Sequence, residues 1–237
     1  MADALPSGMF IGHFAVGLIA KRAAPRASLP VLLAAPQVLD ILFPLFVVAG
    51  IERVAIVPGL TAVSPLDLQE IGWSHSLVTS LGWSVLFALG ILAITRQRRE
   101  ALVLGACVFS HWILDWVSHT PDMPLVPSGG VHGLGLWRSV PGTLVVELAM
   151  FGLGVWIYAS DTRALDRKGA VGWWALVAVL LAMYFGAVFG PPPPSTGPLI
   201  AVSFSAWLLL ALAFWIDRHR EDGHLLRATR ESHASPR

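Results

Sequence analysis

The chain has 237 residues, of which 55% are hydrophobic and 13% charged, with a formal net charge of +1. An ordinary soluble domain carries about 25% charged residues, so long apolar runs parted by short charged clusters exclude one soluble core and predict an all-α, polytopic membrane bundle. The small net charge, gathered on no single motif, speaks against a nucleic-acid partner, and the one cysteine, Cys107, excludes an internal disulfide framework and a cysteine zinc knuckle.

The opening MADALPSG has no basic n-region, and the first cations, Lys21 and Arg22, follow the first apolar stretch. That argues against a cleaved secretory signal. About seven apolar segments follow, at 5–20, 29–51, 76–95, 101–118, 143–159, 171–190 and 198–216. A spanning helix needs about 20 apolar residues, so the first segment is marginal and is expected to be short or re-entrant. The loop from Glu52 to Trp73 is expected to hold a short interfacial helix capped by Ser64 or Asp67. The run of four prolines at 191–194 reads as a stiff extended connector. Residues 1–217 are thus expected to form one transmembrane domain. The polar stretch 218–237 reads as a tail, a short helix that frays into disorder.

Basic residues set the expected orientation. Lys21, Arg22 and Arg26 lie between segments one and two, and Arg96, Arg98 and Arg99 between three and four. Arg163, Arg167 and Lys168 lie between five and six, and five arginines lie in the tail, whereas the other connections hold only Arg53 and Arg138. Alternate loops are therefore basic, as seven spans of a plasma (inner) membrane with a cytoplasmic C-terminus require. Trp73, Trp137, Trp173, Trp174 and Trp215 near segment ends fit an interfacial belt. Gly82, Gly90, Gly152 and Gly154 are expected to permit close helix packing.

Against this background, ionisable groups inside spans are costly and point to function. His111, Asp115 and His119 are spaced i, i+4, i+8 in segment four, which confines them to an arc of about 80° on one helix face. Asp122 follows one turn later, beyond Pro121, where the helix should stop. Imidazole and carboxylate on one face can hold a divalent metal, or each aspartate can fix the tautomer of a neighbouring histidine. His13 in segment one, Asp40 in segment two, His75 opening segment three and Glu147 near the start of segment five are further candidates. The topology places His75, His119, Asp122 and Glu147 at similar depth near the extracytoplasmic face, with His111 about 12 Å deeper than His119. Glu70, five residues before His75, is close enough to join them. Blander readings stand beside these. A lone histidine such as His13 can be an interhelical hydrogen bond, Glu147 can cap a helix or pair with Arg138, His132 can be solvated or part of a lid, and the tail histidines can be polar surface.

GHFAVG early in the chain, an aspartate after a proline in the second segment, a His-Ser opening the third and His-x-x-x-Asp in the fourth resemble the bacterial LexA-binding, inner membrane-associated hydrolase-like family of metal-dependent hydrolases. LexA binding is not carried over, because nothing in these residues supports it. The resemblance covers about residues 9–120 and implies that His13, Asp40, His75, His111 and Asp115 occupy the family's polar positions. Two departures stand out. The family's Pro-Asp-x-Asp reads PQVLD here, with Gln37 between Pro36 and Asp40. Its His-Arg-x-x-Thr-His-Ser reads EIGWSHS, with Glu70 in place of the first histidine.

The expected function is a membrane-embedded hydrolase with a Zn²⁺-like ion held by His75, His111, Asp115 or His119, and with Asp40 and His13 near. Asp122, Glu70 or Glu147 is the general base. The expected substrate is a membrane lipid or a lipid-linked ester or phosphoester near the extracytoplasmic face. Two rivals use the same residues: a transporter or channel with an intramembrane proton or metal relay, and a non-catalytic scaffold glued by His/Asp pairs.

Overall fold

The computed structural model describes residues 10–223. The chain is mostly helical, and six helices are long and apolar enough to cross a membrane: Leu29–Val48, Leu77–Thr95, Arg98–Ser118, Val140–Asp161, Arg167–Phe189 and Thr196–Asp217. They match six of the seven apolar segments to within a few residues. The remaining segment gives α1 (Phe10–Ala20), 11 residues and about 16 Å long. The part of that segment before Phe10, and the tail beyond Gly223, lie outside the described residues.

Two of the six are interrupted. Leu29–Val48 comprises α2 (Leu29–Ala34), a 3-10 turn at Ala35–Gln37, and α3 (Val38–Val48). Pro36 is the cause, since it has no N–H for the Leu32 carbonyl four residues back. α1 crosses at this spot with Gly17, where any Cβ would collide with the Leu32 carbonyl. The last span is α9 (Thr196–Ser203) and α10 (Ala206–Asp217), parted at Phe204–Ser205.

Side-chain caps start three of the other helices. Ser76 Oγ accepts from Thr79 N–H to open α5 (Leu77–Thr95). Ser139 Oγ accepts from Gly142 N–H to open α7 (Val140–Asp161). Asp166 accepts from Gly169 N–H to open α8 (Arg167–Phe189). α5 ends at Arg96, which takes the left-handed conformation and turns the chain straight into α6 (Arg98–Ser118). α1 lies against α7, where Gly154 meets the backbone of Ala15. Gly82, Gly90 and Gly152, expected at helix contacts, face no neighbour within 4 Å.

Three two-stranded antiparallel ribbons close the ends: β1 (Arg53–Ile56) with β2 (Leu66–Glu70), β3 (Met123–Val126) with β4 (Gly129–His132), and β5 (Thr162–Ala164) with β6 (Arg220–Asp222). The first corrects the expectation of a capped interfacial helix. Ser64 Oγ instead accepts from Leu66 N–H, and Asp67 accepts from the Gln69 amide. The third pairs Arg220–Asp222, among the described residues of the polar tail, as a strand with β5.

Candidate metal centre

Four elements bring polar side chains to one point. α6 supplies His111, Asp115 and His119 from successive turns of one face, α3 supplies Asp40, and α1 supplies His13. His75 comes from the end of α4 (Gly72–His75), a single turn ahead of α5. Asp115 is the centre. One of its oxygens, Oδ2, lies 3.0 Å from His111 Nε2 and 3.7 Å from His75 Nε2. The other, Oδ1, lies 3.1 Å from His13 Nε2 and 3.9 Å from His119 Nε2. Asp40 Oδ1 is 3.5 Å from His75 Nε2 and 3.6 Å from His111 Nε2. The Asp115 side chain is 5% exposed and that of Asp40 47%, so the cluster is approached from the Asp40 side.

The far nitrogens of three imidazoles are occupied. His75 Nδ1 lies 2.6 Å from Ser74 Oγ, whose own proton goes to Glu52 Oε2 at 2.7 Å. Ser74 therefore accepts from His75 Nδ1–H. Glu52 Oε1 also accepts the Trp73 and Ser74 backbone N–H groups, at 2.9 and 2.7 Å. These are orphan donors at the start of α4, so one carboxylate builds the turn and sets the ring. His111 Nδ1–H donates to the Pro36 carbonyl at 2.6 Å, beside the break in the second span. His119 Nδ1–H donates to Asp122 Oδ1 at 3.1 Å, and Thr120 donates to Asp122 Oδ2. The proton of each ring is drawn to Nδ1, and Nε2 is turned toward Asp115.

A neutral imidazole would set a bare Nε2 lone pair against a carboxylate oxygen, and His111 Nε2 is buried without a hydrogen bond. Protonating the rings fares no better. His13 and His111 stack in parallel with centroids 3.8 Å apart, and two unit charges at that separation repel by about 4 kcal/mol at an effective dielectric of 20. A divalent cation between the rings and the carboxylates would relieve both. Zinc takes donors at about 2.0–2.2 Å, which puts tetrahedral donors about 3.3–3.6 Å apart. The four imidazole–carboxylate separations among Asp40, His75, His111 and Asp115 run from 3.0 to 3.7 Å. Two groups, Asp40 with His75 and His111, and His13 with His111 and Asp115, each gather their ligand atoms within 4.8 Å of one another and could hold a metal ion. His13 does not share the pattern of the other imidazoles: its Nε2 bonds to Asp115 Oδ1, and its Nδ1 is buried without a partner. That suits a residue aiming Asp115 better than a ligand.

The candidates for general base are dispersed. Glu70 sits at the end of the first ribbon, exposed, with its carboxylate 3.7 Å from Arg53. The strand that replaces the expected helix carries it away from the cluster. Glu147 is fully buried behind α1, where Oε2 accepts from Gly12 N–H at 3.2 Å, so it caps α1 and does not pair with Arg138. Asp122 holds His119. His132 is exposed on β4. The sequence reading missed Glu52, Ser74 and the Pro36 carbonyl.

A cavity of about 140 Å³ opens from the cluster. Its floor is His13, Asp40, His75, Asp115 and His119, and its walls include Phe43, Leu66, Leu68, Met183, Leu199 and Leu209. Trp137, 4.0 Å from the His119 ring, lies along it. No family model, curated protein or solved structure matches this chain.

Proposed function

We propose that the protein is an integral membrane, metal-dependent hydrolase acting on a lipid or lipid-linked substrate, as the family its motifs resemble would imply. The observation that carries this reading is the set of Nε2 atoms of His75 and His111 turned onto the carboxylates of Asp40 and Asp115, with each Nδ1 already bonded elsewhere. That is how metal-binding histidines are held, with the outer nitrogen donating to an oxygen that fixes the ring. The six long apolar helices, with α1 as a seventh, short element, support insertion in the membrane. The basic connections around Lys21, Arg98, Arg163 and the chain's C-terminal end support a cytoplasmic location for that end. The cluster then lies in the outer half, because His75 precedes α5 and His111 is in the latter half of α6, both far from the basic connections.

Held there by three of these side chains, with one position left open, a divalent ion, zinc by the donor set, would supply a Lewis acid and lower the pKa of a water in that position toward about 7. The chain's residues do the rest. Asp40 and Asp115 balance the charge of the ion. Asp40, the more open of the two carboxylates lining the cavity, accepts the proton released from water. His13 keeps Asp115 in place, and Asp122 does the same for His119. The apolar walls exclude bulk water and admit an acyl chain. Protein purified in detergent is expected to contain close to one equivalent of transition metal, and to hydrolyse a generic ester or phosphodiester. Activity should disappear on EDTA treatment and in His75→Ala. Clean protein that takes up no metal ion, with His75→Ala indistinguishable from wild type, would leave a scaffold. Metal uptake without hydrolysis would leave a transporter.

A further inference from the structure

Two hydrogen-bond donors along the cavity have nothing to bond to. Gln37 lies three residues before Asp40 on the interrupted span, lines the cavity and is 5% exposed. Its Nε2 is buried without a partner. Trp137 lines the same cavity, is 3% exposed, and its Nε1 is also buried without a partner. Buried donors are nearly always paired, so unpaired ones need an explanation. Two of them, on residues that line one cavity and unpaired among the described residues, would be accounted for by a ligand that brings its own acceptor oxygen. The cavity lining includes no lysine or arginine. Its charges are the carboxylates of Asp40 and Asp115, which one divalent ion would cancel. An anionic phosphodiester entering this apolar space would lose its hydration and meet no net positive charge to replace it. An uncharged ester suffers no such loss, and its carbonyl oxygen is the acceptor that the two donors lack.

We propose that the substrate is an uncharged long-chain carboxylic ester, whose acyl carbonyl oxygen is received by Gln37 and Trp137. This rests on the hydrolase reading above. In the reaction the oxygen of water forms a bond to the acyl carbon. The bond from that carbon to the alkoxy oxygen breaks, and its electron pair stays on the alkoxy oxygen, which takes one proton of the water. The products are a fatty acid and an alcohol. Gln37 and Trp137 matter most while charge develops on the carbonyl oxygen, where preorganised donors act most strongly. Gln37, standing where the resembled family carries a carboxylate, replaces a negative charge with a neutral donor.

The test uses the full chain in detergent, stripped of metal or loaded with zinc, and two ligands with the same chain: hexadecyl methyl ketone and hexadecyl methyl phosphate. Binding isotherms are corrected for partition into protein-free micelles. The ketone is expected to bind at least about tenfold tighter than the phosphate to the metal-free protein. Gln37→Leu and Trp137→Phe should each weaken ketone binding about five- to tenfold, the worth of one hydrogen bond, with thermal stability and zinc content unchanged. Zinc-loaded protein should hydrolyse monopalmitoylglycerol faster than hexadecyl methyl phosphate. Equal or tighter binding of the phosphate, or faster cleavage of it, overturns the ester assignment and leaves the hydrolase reading standing. Ketone binding that both variants leave intact overturns the role of the two donors. If the ketone binds as expected but zinc-loaded protein cleaves neither compound, the hydrolase reading fails and an acyl-binding site remains.

Discussion

The molecule has two polar clusters, one at the metal centre and one where the basic connections meet, and they are built on opposite principles. At the basic end Lys21 is buried, yet its ammonium donates to the carbonyls of Pro25 and Ala27, at 2.6 and 3.0 Å, and pairs with Asp222 at 3.3 Å. Arg22 forks onto both oxygens of Asp161, at 2.9 and 3.0 Å. Arg220 donates to the hydroxyl and carbonyl oxygens of Thr162. Each cation there meets an anion or a carbonyl, and the cluster clasps β5 to β6 with no other component. At the candidate metal centre His13 donates to Asp115, whereas the Nδ1 donors of His75, His111 and His119 are spent elsewhere. Polar groups that satisfy one another hold a fold together, whereas a cluster of the second kind is suited to a ligand.

The strongest break of this contrast is Asp115→Asn. Asp115 is within 4 Å of all four imidazoles, and the variant keeps its shape while removing one of two carboxylates. Metal content by elemental analysis should fall from about one equivalent to near zero, and hydrolysis to background. The clasp should not respond to metal. Lys21→Met should leave metal content intact and destabilise the fold by about 3 kcal/mol, since it removes one member of a buried ion pair. Denaturant melts in mixed micelles, with and without EDTA, measure both effects. If chelation shifted the Lys21→Met and wild-type curves by different amounts, the two clusters would be one coupled unit. Glu52→Gln sharpens the comparison within the metal centre. It keeps an acceptor but loses the charge that fixes Ser74 and His75. Zinc affinity should fall about 10- to 100-fold with little change in melting, as read by competition with a chromogenic chelator.

Length and hydropathy were enough to read the six long apolar helices, though not as seven spans, and the 3.6-residue period alone put His111, Asp115 and His119 on one face. What the sequence concealed depends on chain reversal. Glu52 reaches Ser74 only because residues 53–70 fold back as a hairpin, and nothing in RVAI or LDLQE marks those short strands among the apolar helices. Glu70, nearer His75 in sequence, is farther in function for the same reason. The Pro36 carbonyl was invisible because backbone groups carry no residue code. The proline that disturbs that turn was nonetheless legible, as was Gln37 beside it. Gly17 was missed because its role is set by a helix that crosses it from elsewhere, whereas Gly82, Gly90 and Gly152 had only composition to recommend them.

The smallest expected effect lies at the edge of the clasp and gives it a pH signature. Asp166 Oδ1 accepts from Gly169 N–H at 2.9 Å and Oδ2 from His219 Nδ1–H at 2.8 Å. These bonds, the backbone one first, hold its carboxyl below the usual range. A carboxyl depressed in the folded chain binds protons more readily when unfolded. Its stabilising contribution is therefore complete above the ordinary carboxylate range and is lost as pH falls through the lowered folded value. Asp166→Ala should melt slightly below wild type at neutral pH, and the gap should close as the pH is lowered through the acid range. The side chain is exposed, so added salt should narrow the gap as well. A gap that stays constant with pH would mean that the cap acts through geometry alone, and the clasp would then owe nothing to charge at this corner.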